Sequence, residues 1–140
     1  MLQEHLNYIK EKKEIKIMKL TNTEIYSQAL KFNNAFGDEN QKLPIKINFY
    51  LQKNKKTLLD LGIEIEQERQ KIIETYGALD PESGDYTIHA DNVEDYLKEL
   101  QDLMDLEQEV QIYTFNINAI DENLELTTAQ MEALLFMIEE

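Results

Sequence analysis

Along residues 44–76 the apolar positions return at steps of four and three: Ile47, Leu51, then Asn54 in an apolar slot, Leu58, Leu61, Ile65, Ile72 and Tyr76. The beat is skipped once, near residues 68–69, and then resumes. Such spacing lines up one face of an α-helix. Pro44 suits its first position, because the amide hydrogen that proline lacks would be unpaired there anyway. The pattern predicts one helix over 44–76, on the order of 48 Å long at ~1.5 Å per residue. Ile45, Phe49, Leu59, Ile63 and Ile73 are expected to widen its apolar face. Residues 45–49 also alternate as a strand would, but the heptad-like beat continues past them and favours helix. Gly62 is the weak point of this helix, where a bend or close packing is expected.

Shorter elements flank it. Thr21 or Asn22 can cap a first helix that carries Ile25, Ala29, Leu30, Phe32, Ala35 and Phe36, with Gly37 placed to stop it. Residues 38–40 read as a loop. Gly77 ends the long helix, and Asp80-Pro81-Glu82-Ser83-Gly84-Asp85 is dense turn chemistry. Residues 86–89 read as a short extended segment. A helix capped by Asp91 or Asn92 follows, with Val93, Leu97, Leu100 and Met104 on one face and Tyr96 and Leu103 beside them. The short connection predicts that it folds back antiparallel on the long helix. Residues 111–117 are rich in β-branched and aromatic side chains and read as a strand, paired with residues 86–89. Thr127 and Gln130 form a capping box for a last helix. Its apolar cluster, Met131, Leu134, Leu135, Phe136 and Ile138, is expected to be buried against the hairpin or a partner. The expected fold class is therefore mainly α (α+β at most): a long antiparallel helical hairpin with flanking helices and one short β element.

Charge changes this picture most. Residues 1–57 hold eleven of the fourteen basic residues against six acids, a net +5. Residues 58–140 hold twenty-two acids against Arg69, Lys71 and Lys98, a net −19. An ordered acidic surface repels nucleic acid and lipid headgroups and attracts basic protein faces. No direct nucleic-acid or membrane partner is expected. With 140 residues the chain is sized for one domain, and 42% apolar composition with abundant Leu and Ile supports a packed core. The absence of cysteine excludes disulfides, thiolate metal sites and cysteine chemistry, and fits a reducing cytoplasm. No apolar run approaches a membrane span, and the first residues lack a signal-peptide core.

Candidate chemistry is sparse. Asp95, Glu99, Asp102, Asp105 and Glu109 stand at steps of four, three, three and four, one acidic stripe along a helix. That is one charge per ~5 Å, well below the one per ~1.7 Å of duplex DNA, so Glu64, Glu66, Glu68 and Glu74 of the neighbouring helix are needed to raise the density. The plain reading is a solvated face that maintains solubility. The functional reading is a docking face for a basic protein, with Asp95, Glu99, Asp102, Asp105, Glu109, Glu64 and Glu68 as its partner-binding residues. His89 lies near Asp85 and Asp91, yet it and His5 are the only histidines, with no two-histidine or calcium-loop spacing. Ser27 and Ser83 sit in no nucleophile motif, and four scattered glycines make no phosphate loop. No catalytic residue, metal site or cofactor is expected; a carboxylate-based metal enzyme would reveal itself by stabilisation with Mg²⁺ or Mn²⁺. The basic cluster Lys53-Asn54-Lys55-Lys56, with Lys46 and Lys42, is expected to pair with acids of a neighbouring helix or of a second copy, which makes a homodimer a further candidate assembly.

From Met18 onward the chain resembles a family of small proteins of unknown function encoded by tailed bacteriophages and prophages of Gram-positive bacteria. The resemblance rests on Met18-Lys19-Leu20-Thr21-Asn22, Lys42-Leu43-Pro44-Ile45-Lys46, Lys71-Ile72-Ile73-Glu74-Thr75-Tyr76-Gly77, Leu106-Glu107-Gln108-Glu109-Val110 and Leu126-Thr127-Thr128-Ala129-Gln130-Met131-Glu132-Ala133-Leu134. These are folding motifs and carry no functional residue, but they imply a phage setting. They also support Met18 as a start. Lys13-Glu14 can be encoded as AAG-GAG, a ribosome-binding sequence, three codons ahead of Met18. Residues 1–17 are therefore expected to be a leader or flexible extension, the alternative being an amphipathic helix with Leu2, Leu6 and Ile9, and residues 18–140 a single acidic helical domain. The function expected is that of a non-enzymatic phage protein in the host bacterial cytoplasm. It binds and inhibits or modulates a host protein with a basic surface, a defence nuclease being the candidate class. The alternative is a phage structural protein or virion-assembly chaperone, with residues 131–138 as the contact.

Overall fold

The computed structural model describes residues 14–37 and 43–139. His5 and the apolar Leu2, Leu6 and Ile9, the loop expected at 38–40, and Lys42 lie outside the described residues. Within them the chain is mainly helical, with four α-helices and three small ladders.

Strand β1 (Ile15–Thr21) leads directly into helix α1 (Asn22–Ala35). Thr21 makes that junction sharp. Its hydroxyl accepts from the Glu24 amide, and the Glu24 carboxylate accepts from the Thr21 amide, both at 3.1 Å. Helix α2 (Ile45–Tyr76) follows Pro44 as one uninterrupted rod, so the alternating start is helix and the skipped beat breaks nothing. It buries Ile47, Leu51, Asn54, Leu58, Ile65 and Ile72 along the four-and-three line. Ile45, Phe49, Leu59 and Ile63 do not widen that face: they are 90%, 55%, 60% and 50% exposed. At 100° per residue they stand roughly half a turn from the Ile47 line, on the far side of the rod.

The β content exceeds one short element. Strand β2 (Gly77–Leu79) pairs antiparallel with β3 (Tyr86–Ile88), closed by the turn at Gly84, whose φ of 76° glycine adopts freely. Residues 86–89 thus pair with their near neighbour and not with residues 111–117. A side chain at Gly77 would sit 2.7 Å from the Ile73 carbonyl oxygen and 3.1 Å from the Ile88 methyl, so only glycine lets α2 run straight into this hairpin. After a single 3-10 turn (Ala90–Asn92) comes α3 (Val93–Asp105), then β4 (Glu107–Tyr113). Strand β4 pairs antiparallel with β1 over seven residues, from Ile15 opposite Tyr113 to Thr21 opposite Glu107. Ile15, Lys16 and Ile17 are thus part of β1, and the boundary expected at Met18 falls inside the strand. β5 (Phe115–Asn116) pairs parallel with β6 (Ile138–Glu139), which follows α4 (Thr128–Leu135).

Helix α4 has the expected capping box, Thr127 with Gln130. It buries Ala133 and Leu134, Met137 beyond it is also buried, and Phe136 meets Phe32 edge-on at 5.9 Å. Met131 and Leu135 remain exposed, so the C-terminal cluster is only half covered. The core lies where α1, α2, α4 and the β1–β4 ladder meet, around Ile25, Phe32, Leu51, Leu58, Ile112 and Phe115. No helix among the described residues is long and apolar enough to cross a membrane.

Candidate protein-binding face on the acidic helix

Helix α3 holds no fully buried side chain. Tyr96, Leu100, Leu103 and Met104 are half-buried, whereas Val93 and Leu97 of the expected apolar face are exposed. Polar ties fix the helix instead. At its start, Asn92 Nδ2 donates to the Tyr76 carbonyl at 3.3 Å. In the middle, the Glu99 carboxylate lies beside the Tyr76 hydroxyl and raises its pKa. At its end, Asn22 Nδ2 donates to the Leu103 carbonyl at 2.8 Å and the Thr23 hydroxyl to that of Met104 at 3.1 Å. The Asn22 amide reaches the Leu106 carbonyl at 2.9 Å, and Gln108 donates to Asn22 Oδ1 at 2.7 Å. The last carbonyls of α3 are thus satisfied by the first turn of α1, an opposite pairing of helix ends that also suits their dipoles. Asn22 is buried for this task, leaving the cap to Thr21.

On this helix Asp95, Glu99, Asp102 and Asp105 are all exposed. Among the described residues none of them forms an ion pair with a basic side chain; Asp105 only accepts from Gln101, at 2.8 Å. The other three predicted positions separate from them. Glu109 belongs to β4, opposite Lys19, because Leu106 turns the backbone to φ −60°, ψ 134° and ends the helical spacing. Glu64 and Glu68 stand exposed on α2, and Glu68 is paired with Lys71 at 2.8 Å. Among the described residues no hydrogen bond or ion pair joins either to the α3 acids. Four of the seven residues therefore share one face. The tethering residues Asn22 and Asn92 were not legible as such: both read as caps, since their partners are distant in sequence.

Two tyrosines report on these ties. Burial, with a hydrogen bond to Glu66 and the charge of that carboxylate, pushes the Tyr26 hydroxyl up from 10.0 to about 12. The hydrogen bond to Glu99, with burial and the Glu99 and Asp95 charges, raises Tyr76 as well. In both cases the neutral phenol is favoured by the fold. Their stabilisation is therefore complete below the unfolded value near pH 10 and is lost as pH rises through the folded value, about 12 for Tyr26. In a phenolate absorbance titration both should ionise late. Glu99→Gln should move Tyr76 back towards 10 while leaving Tyr26 in place; no change in the titration curve would show that the tie is not formed.

The basic cluster is used internally. Lys46 binds Glu14, Lys56 pairs with Asp60 at 2.8 Å, and Lys55 caps α1 through the Phe36 carbonyl at 3.2 Å. Lys53 lies over the Phe49 ring at 5.3 Å. His89 accepts from the Asp91 amide as the cap of the 3-10 turn, and Ser83 accepts from Asp85 in its own turn. Among the described residues no group of three or more His, Asp or Glu side chains is placed to hold a metal ion. Comparison of the chain with protein-family models, curated proteins and solved structures gave no match.

Proposed function

We propose that this chain is a non-enzymatic binding protein that engages a basic protein surface through the outer face of α3. The observation that carries the reading is the set of four exposed carboxylates, Asp95, Glu99, Asp102 and Asp105, on a helix tied at both ends. A face held in this way meets its partner with little ordering cost, and its charge speeds association. In this reading α2 and α3 form a long antiparallel hairpin, which the β2–β3 ladder between them and the Asn92–Tyr76 bond support. The resemblance of residues 18–140 to phage and prophage proteins supports the host bacterial cytoplasm as the setting and a host protein, such as a defence nuclease, as the target that is inhibited or modulated.

The test is capture from host lysate at low and high salt, with Asp95→Lys, Glu99→Lys and Asp102→Lys combined. A single basic partner should be retained at low salt and bind the reversed variant at least about tenfold more weakly. A partner that ignores the reversal, or none at all, rejects the reading. The alternative, a virion component or assembly chaperone, is favoured by exposed Met131 and Leu135 on α4, and it predicts the protein in purified particles.

A further inference from the structure

The far side of α2 carries a second seam that lies largely outside the core, tied to α1 at Glu66, which accepts from the Tyr26 hydroxyl. Ile45, Phe49, Gln52, Lys56, Leu59, Ile63, Glu66, Gln70 and Ile73 repeat at alternating steps of four and three, the spacing of a helix-pairing seam. Its first apolar residues, Ile45 and Phe49, project into solvent. Its other end opens into a groove of about 580 Å³ whose lining includes Gln70, Ile73, Asp85, Tyr86, Ile88 and Tyr96. One end of the rod thus bears apolar knobs and the other a place to seat them.

Charge divides the same way. Ile45 to Leu59 contain four lysines and no acid, whereas the rest of α2 contains five acids against Arg69 and Lys71. Two copies side by side in parallel would stack Lys46, Lys53 and Lys56 on their own counterparts. Turned antiparallel, each basic half meets an acidic half.

We propose that α2 is the interface of an antiparallel homodimer with its two-fold axis beside Leu61 and Gly62. Four seam layers are then matched, Phe49 with Ile73 at the groove, Gln52 with Gln70, Lys56 with Glu66, and Leu59 with Ile63, while Ile45 falls opposite Gly77 just past the helix end. Lys46, which also binds its own Glu14, comes beside Glu74 at each end. Lys55 is drawn away from Arg69 by its bond to the Phe36 carbonyl. Asp60 meets its counterpart near the axis and keeps its own Lys56 at 2.8 Å, so that lysine stands between Asp60 and the Glu66 of the second copy. A side chain at Gly62 would have nothing within 4 Å in its own copy, so the rods are open to close approach at the axis. The arrangement is closed and self-complementary, as a two-fold interface must be. It uses neither Asp95 nor Asp102 and is independent of the function proposed above.

The full chain should sediment as a dimer that weakens with added salt. Phe49→Glu, at a half-exposed position, should weaken it by about thirtyfold or more while leaving the circular dichroism melt nearly unchanged. The chain has no cysteine, so introduced ones report the register without background. Phe49→Cys protein mixed with Ile73→Cys protein should form a disulfide-linked heterodimer under mild oxidation, and neither should link to itself. A chain that stays monomeric at every concentration overturns the proposal. So does self-linking of Phe49→Cys, which marks a parallel pair, or a dimer in which the mixed link fails to form.

Discussion

Replacing Asn54 by leucine, nearly the same shape without the polar atoms, should destabilise the protein by about 3 kcal/mol, or roughly 10 °C in Tm. Asn54 is 0% exposed in the middle of α2, where the pattern of the helix asks for an apolar residue. Its Nδ2 donates to the Tyr113 carbonyl at 2.9 Å, and its Oδ1 accepts from the Tyr113 amide at the same distance. The side chain therefore acts as one more residue of sheet, closing the last pair of groups on β4 and locking the ladder to the rod. Leucine would leave both backbone groups without partners in a dry setting, which costs more than its own burial returns. Asn54→Asp adds a check with a defined sign. It keeps the acceptor, loses the donor and buries a charge beside a carbonyl, so the folded-state pKa of the new carboxyl is raised above its unfolded value. The variant should be closest to the parent below the unfolded pKa and lose stability as pH rises. Chemical denaturation across pH measures both variants; an unchanged midpoint for Asn54→Leu would show that the Tyr113 bonds contribute nothing.

Starting the chain at Met18 should be nearly as damaging. Seven residues of β1 face seven of β4, and three of those pairs, from Ile15 to Ile17, precede Met18. Glu14 adds a further anchor. Its carbonyl accepts from the amide of buried Thr114 at 2.6 Å and from the Thr114 hydroxyl at 3.2 Å, and its carboxylate is bound by Lys46 and Tyr50. Losing these bonds and the cover that half-buried Ile15 gives the ladder should cost on the order of 3 kcal/mol. Differential scanning calorimetry of chains beginning at Met1 and at Met18 makes the comparison. Equal melting temperatures would mean that the strand is held from Met18 onward alone; the large drop expected here would make residues 14–17 part of the folded unit.

The helices were legible because what makes them is local. The four-and-three spacing of Ile47, Leu51, Leu58 and Ile65, proline before the first turn, glycine after the last, and the Thr21–Glu24 and Thr127–Gln130 boxes all act within a few residues. The same locality explains the errors. Residues 15–17 look like part of a charged leader because nothing near them in sequence shows the strand 90 residues away that pairs with them. Asp105 and Glu109 keep helical spacing in sequence, yet Leu106 ends the helix, because Val110 and Ile112 are drawn into the core as strand. Of the candidate face, the exposure of the α3 acids was legible. The tethering of their helix by Asn22 and Asn92 was not.

By itself, the sequence determined the four helices, the caps of α1 and α4, and the concentration of negative charge on the second half of the chain, for these follow from near-neighbour preferences and from counting. Tertiary structure alone decided which of the two apolar lines on α2 became core, which strands found each other, and which carboxylates were left facing outward together. Both lines on α2 satisfy the same periodicity. What separates them is the supply of covering groups from α1, α3 and β4, a property of the assembled chain that no segment carries alone.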